Sequence, residues 1–143
     1  MLLLLFILLV SVIICILTTK EPPVVKNIRK KYKILKDYLD TKDISEYFKD
    51  IDTNVELTFF NKRFNELGYN VNKGQEIGVC IDGDENHAFH VLIHELSHSS
   101  VPEYNHSKLF WKRFKELREI CVKLGIYTEI PEKKSFCGKF VKD

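Results

Sequence analysis

The strongest constraint on what this chain can fold into is its opening, MLLLLFILLVSVIICILTT: residues 2 to 19 carry no charge, and their polar side chains are Ser11, Thr18 and Thr19. Eighteen helical residues extend about 27 Å, close to the thickness of one bilayer core. A cleaved secretory signal would begin with basic residues and end at a small-residue cleavage site, and neither flanks this run. The run therefore reads as an uncleaved transmembrane anchor over residues 1–19, followed by a basic juxtamembrane helix or linker over 20–40 and a folded domain over 41–143. Lys20, Lys26, Arg29, Lys30, Lys31, Lys33 and Lys36 follow the anchor, whereas no Lys or Arg precedes it. The positive-inside rule then expects a single-pass protein with its C-terminal domain in the cytoplasm. Cys15 lies in the anchor, and Cys80, Cys121 and Cys137 show no paired spacing, so all four read as reduced thiols, in keeping with that side. Attraction of the basic run to anionic lipid is a secondary expectation.

The whole chain, anchor included, has 143 residues with 45% apolar content, which bounds it to one folded domain, and its net charge of +2 argues against a dedicated nucleic-acid binder. After Pro22 and Pro23, the spacing of Val25, Ile28, Tyr32, Leu35 and Leu39 predicts an amphipathic helix, either packed on the domain or standing off it as a stalk. Thr41 or Asp43 starts a second short helix carrying Ile44, Tyr47, Phe48 and Ile51. VELTFFNKRFNELGY is ambiguous, with strand-like alternation early and helical recurrence late; the helix is favoured toward its end, with Gly68 as terminator. Tyr69 to Val71 and Ile77 to Ile81 flank Asn-Lys-Gly-Gln and read as a hairpin. Asp84 or Asn86 caps a helix beginning near His87.

That helix carries the chemistry, since HELSHSSVPEYNH holds three of the five histidines within residues 94 to 106. His94 and His98, four apart, project from one helical face, near enough to share a cation. Glu95 points beside them, a placement that suits a base better than a ligand. His106 is the downstream candidate for a third ligand. Pro102 ends the helical ladder, Asn105 tolerates a left-handed backbone, and Ser107 caps a following helix whose apolar face holds Phe110, Phe114, Leu117, Cys121 and Leu124 before Gly125. Zinc held by three side chains with one open position, next to a carboxylate, is the arrangement of a hydrolytic site.

HELSH followed by NHSKLFW, with KGQEI before a strand and a late FCG, resembles the WLM and SprT-like zincin metallopeptidases over about residues 72 to 138. The eight-residue spacing from His98 to His106 looks like the version carried by some large DNA viruses. The resemblance implies a small α+β zincin-like domain with a short antiparallel sheet, an active-site helix and a supporting helix. It also implies Zn2+ bound by His94, His98 and His106, and Glu95 as the catalytic base acting on a polypeptide substrate. Asn105 stands where such proteins often have Gly, and Phe136 precedes Cys137 where Tyr is common. The ligand spacing differs from the cellular pattern, so a DNA-repair role is not implied.

Other residues have plainer readings beside the functional ones. His90, one turn before His94, is a packing histidine, a donor behind the metal or an extra ligand. His87 is a surface residue at the helix start. Tyr104 braces a loop or donates to a developing oxyanion, while Phe110 and Trp111 are expected in the core. Cys80 and Cys137 read as buried apolar residues rather than ligands. By analogy of fold, Ile77 to Ile81 is the expected edge strand for an extended substrate. Two other functions fit the same residues: hydrolysis of a non-peptide substrate, or a membrane-tethered binding module with structural zinc.

Overall fold

In a computed structural model that describes residues 1–41, 48, 51, 55–63 and 66–143, the apolar opening forms α1 (Leu2–Thr18), none of whose residues is buried. Among the described residues no single helix is long and apolar enough to cross a membrane; α1 and α2 (Pro23–Thr41) meet that test only together, bent by 51° at the break between them. Pro23 begins α2, where a missing N–H costs nothing because the first turn has no carbonyl to receive it.

Of the two roles left open for this helix, packing is the one found. Val25, Ile28, Tyr32, Leu35 and Leu39 are all buried, and the last four lie in the same apolar cluster as Phe89, Leu92, Ile93 and Leu96 of the helix that carries His94 and His98. Each such side chain stabilises the fold by about 1.5–3 kcal/mol. The opposite face is a solvated charged surface, with Lys33 paired to Asp37 and Arg29 to Glu21. Lys31 reaches across to Glu85 at 2.7 Å and ties α2 to the start of the next helix. The short helix expected after Thr41 falls on residues outside those described, apart from Phe48 and Ile51, which are buried.

The early part of the ambiguous segment is a strand, while Phe64 and Asn65, in the later part where a helix is expected, lie outside the described residues. β1 (Glu56–Phe60) pairs parallel with β3 (Glu76–Cys80), and β2 (Gly68–Val71) pairs antiparallel with β3, giving the order β1-β3-β2. The early strand-like alternation holds, with Leu57 opposite Ile77 and Phe59 opposite Val79. Three expectations are corrected by this sheet. Gly68 opens a strand instead of ending a helix. The sheet is mixed, not purely antiparallel, so β3 is its centre and cannot be the free edge; Ile77, Val79 and Cys80 are fully buried. Gly78 is required by contact rather than by backbone freedom. The Tyr69 ring lies on it so closely that an added Cβ would stand 2.1 Å from a ring carbon. That ring stacks on Phe60, and its hydroxyl donates to Glu76 at 2.6 Å.

The β2–β3 connection carries Asn72 and Lys73 at positive φ, the conformation a tight hairpin needs. Next comes α3 (Glu85–Ser99), its first amides accepted by the carboxylate of Asp84, the expected cap. α4 (Lys108–Lys123) is capped by Ser107, which accepts from the Phe110 amide at 3.1 Å. Its buried stripe of Phe110, Phe114, Leu117 and Cys121 packs on α3, and Gly125 follows at positive φ. A second hairpin, β4 (Lys134–Phe136) and β5 (Lys139–Val141), completes the chain.

The cysteines are not all reduced thiols. Cys80 at the end of β3 and Cys137 in the turn between β4 and β5 form a disulfide, leaving Cys15 and Cys121 free. Their 57-residue separation offers no local spacing to read. The pairing depends on the fold bringing the hairpin against the sheet, where Phe136 packs on His87 and closes over Gly83.

Candidate metal centre and cleft

The helical face that α3 turns away from the core holds His94 and His98, and the loop after Ser100 brings His106 over them. His94 Nε2 lies 3.0 Å from His106 Nε2, and His98 Nε2 lies 3.2 Å from the same atom. Three nitrogens bound to one tetrahedral ion at about 2.0–2.1 Å stand about 3.3 Å apart, so this spacing fits a shared cation. Imidazole nitrogens that face one another cannot all carry hydrogens, and a cation resolves the conflict. Burial, then the neighbouring His98 and His106, pushes His94 down to about 3; burial lowers His98 to about 4, with His106 and Lys73 adding to the effect. Both are thus neutral, the form that binds metal.

Beneath the triad lies Phe110, fully buried, its ring centroid 4.4 Å from that of His98, 4.7 Å from His106 and 4.9 Å from His94. It is the floor that sets the three rings. Trp111 is half exposed, contrary to its expected place in the core, and its ring stands 5.5 Å from His106 on the wall of the cleft. Tyr104 is an exposed brace: Lys73 sits 4.2 Å over its ring and donates to the carbonyls of His98 and Glu103.

Glu95 is buried, and burial raises its carboxyl to about 7. Its side chain makes no hydrogen bond to a described residue and borders both the main cleft and a smaller pocket of about 170 Å³. Two contacts that sequence reasoning missed hold it there. Gly68 brings β2 so near α3 that an added Cβ would meet Val91 at 2.6 Å and the Glu95 Cγ at 3.2 Å. Asn70 donates to the Glu95 carbonyl at 2.6 Å and to Ser99 Oγ, while its own oxygen accepts from the Gly74 amide. One asparagine thereby locks the hairpin to the helix.

The cleft has a volume of about 540 Å³ and runs from Leu67 and Gly68 past Glu95 and the triad to Phe140 on β5. His90 borders it too, but lies outside the group of nitrogens that converge; among the described residues that group is His94, His98 and His106. Nor does either of Cys80 and Cys137 reach it, since each is bonded to the other. Three protein ligands leave a coordination position for solvent or substrate.

In comparisons with known proteins, the chain is 30% identical to "Uncharacterized protein R325" of Acanthamoeba polyphaga mimivirus, over 81% of this chain and 68% of that protein. No known family's profile matches the chain, and no solved structure matches it.

Proposed function

The chain belongs to the family of the mimivirus protein R325, and from that premise and the histidine triad we propose that it is a zinc metallopeptidase of the WLM and SprT-like zincin kind. The observation that carries the reading is the joint placement of three convergent imidazoles and one buried carboxylate without a hydrogen-bond partner among the described residues, at the floor of an open cleft. A structural zinc site would be closed by a fourth ligand, and no described side chain supplies one.

His94, His98 and His106 would hold the ion, which when bound lowers the pKa of a water and polarises a carbonyl. Phe110 fixes the imidazole planes. Glu95, facing the same space, takes the proton from the attacking water and passes it to the departing amine. Its place on the cleft wall, beside the triad, suits both steps. β2 is the sheet edge beside the cleft, with Leu67 and Gly68 on the cleft wall, and it offers an extended peptide a strand to pair with.

Membrane attachment through α1 belongs to the same proposal, supported by a 17-residue apolar helix with no buried residue. Its orientation is less simple than the basic flank implies. A disulfide persists in an oxidising compartment, so the Cys80–Cys137 bond weighs against the cytoplasmic side.

The test compares metal content and hydrolysis of unstructured peptides in Glu95→Gln and His94→Ala. The reading expects the first to keep its metal and lose hydrolysis, and the second to lose both. Retained hydrolysis in metal-loaded Glu95→Gln would defeat it.

A further inference from the structure

We propose that His90 binds substrate: its Nε2 accepts a hydrogen bond from a backbone N–H of the peptide lying in the cleft. The inference rests on the peptidase reading and adds a residue to it. His90 sits one turn before His94 on α3, so its Cα is about 6 Å from that of the ligand along the helix axis. It borders the same cleft, and both rings pack edge-on against Phe114, at 5.3 Å for His90 and 5.9 Å for His94.

The back of the His90 ring is held by a buried cluster. Tyr127 donates its hydroxyl hydrogen to Asp143 Oδ1 at 2.6 Å. His90 Nδ1 lies 2.9 Å from that hydroxyl oxygen and 3.3 Å from the same carboxylate oxygen. With the tyrosine hydrogen already committed to the carboxylate, both oxygens facing Nδ1 act as acceptors, so Nδ1 carries the ring hydrogen. The other nitrogen then presents a lone pair. Asp143 is itself anchored, accepting from the Ile130 amide and standing 3.8 Å from Arg118. The ring is fixed in tautomer as well as in orientation.

His90 Nε2 has no hydrogen bond to a described residue, yet it is not among the buried polar atoms left without a partner. Tyr127 and Asp143 do not border the cleft, whereas His90 does. The open nitrogen therefore faces the space a substrate fills. An acceptor held in place beside a metal site matches a main-chain N–H of an extended peptide, which the neighbouring imidazoles, committed to the ion, cannot serve.

The experiment uses the full chain in detergent, loaded with zinc, and a cleaved peptide resynthesised with each backbone amide N-methylated in turn. For wild type, methylation at one particular amide is expected to lower kcat/KM roughly 3- to 10-fold through loss of one hydrogen bond. His90→Phe is expected to lose a similar factor on the unmethylated peptide, keep its zinc, and show no further loss on that methylated one. His90→Gln, which still offers an acceptor, should retain the sensitivity. His90→Leu reads the same coupling should His90→Phe not fold. Equal sensitivity of wild type and a zinc-loaded variant without an acceptor, at every amide, overturns the role of His90 and leaves the peptidase reading standing. A zinc-loaded wild type that cleaves no peptide overturns both.

Discussion

His106 Nε2 stands 3.0 Å from His94 Nε2 although twelve residues and a helix end separate them in the chain. Nothing local enforces that approach. It depends on Ser107 starting α4 where it does and on Phe110 filling the space below the rings.

Phe110 is accordingly the packing residue whose loss reaches the site. Phe110→Ala removes a fully buried ring and is expected to cost about 3–5 kcal/mol. It should also weaken metal binding, because three imidazoles lose their common floor. Denaturant unfolding with and without chelator measures both; unchanged metal affinity in a folded variant would contradict the floor role.

Glu95→Gln removes the proposed base while keeping the shape. Peptide hydrolysis is expected to fall about 100-fold or more with metal content unchanged. Parallel metal analysis and peptide cleavage assays check this, and a loss of metal would show instead that Glu95 serves the ion.

The disulfide makes a prediction that needs no activity. Unfolded in the absence of reductant, the chain should present two reactive thiols, Cys15 and Cys121, and four after reduction. Cys137→Ser is expected to cost about 2–4 kcal/mol and to loosen β5, one wall of the cleft. Thiol counting by mass spectrometry that finds four reactive thiols without reductant would restore the reduced reading.

Acid should destabilise the metal-free fold in part through His90. Burial lowers its pKa, against the opposing effect of Asp143. A group whose folded pKa is depressed stabilises the native state above its unfolded value, about 6.5 for histidine, and loses that contribution as the pH falls below it. Between about pH 7.5 and 5.5 the wild type should therefore lose more stability than His90→Phe. Equal losses in urea titrations at the two pH values would show that His90 does not carry the effect.

What the sequence made legible was local. The five buried residues of α2 recur at an unambiguous helical period, and Asp84 and Ser107 occupy caps that their chemistry favours. His94, His98 and His106 were readable as candidates because a helix sets the first pair and the third follows Pro102, which cannot continue a helical ladder; their convergence is set by packing. The misreadings of the sheet and of the cysteines are nonlocal. β1 looks half helical until β3, twenty residues on, pairs with it in parallel; that pairing is also what moves β3 from edge to centre. Cys80 meets Cys137 only through the folded sheet. Trp111 follows Phe110 in sequence, but the next helical position points outward, onto the cleft. The role of Asn70 in holding α3 carried no signal, since the Glu95 carbonyl and Ser99 that its amide reaches lie 25 and 29 residues away.

Zinc stoichiometry of the purified full chain and of His106→Ala, measured by plasma mass spectrometry after dialysis against metal-free buffer, decides whether the three imidazoles act as one site. One zinc per wild-type chain and almost none in the folded variant is the expected pair of values. Equal zinc in both, or none in either, would contradict a site built by His94, His98 and His106.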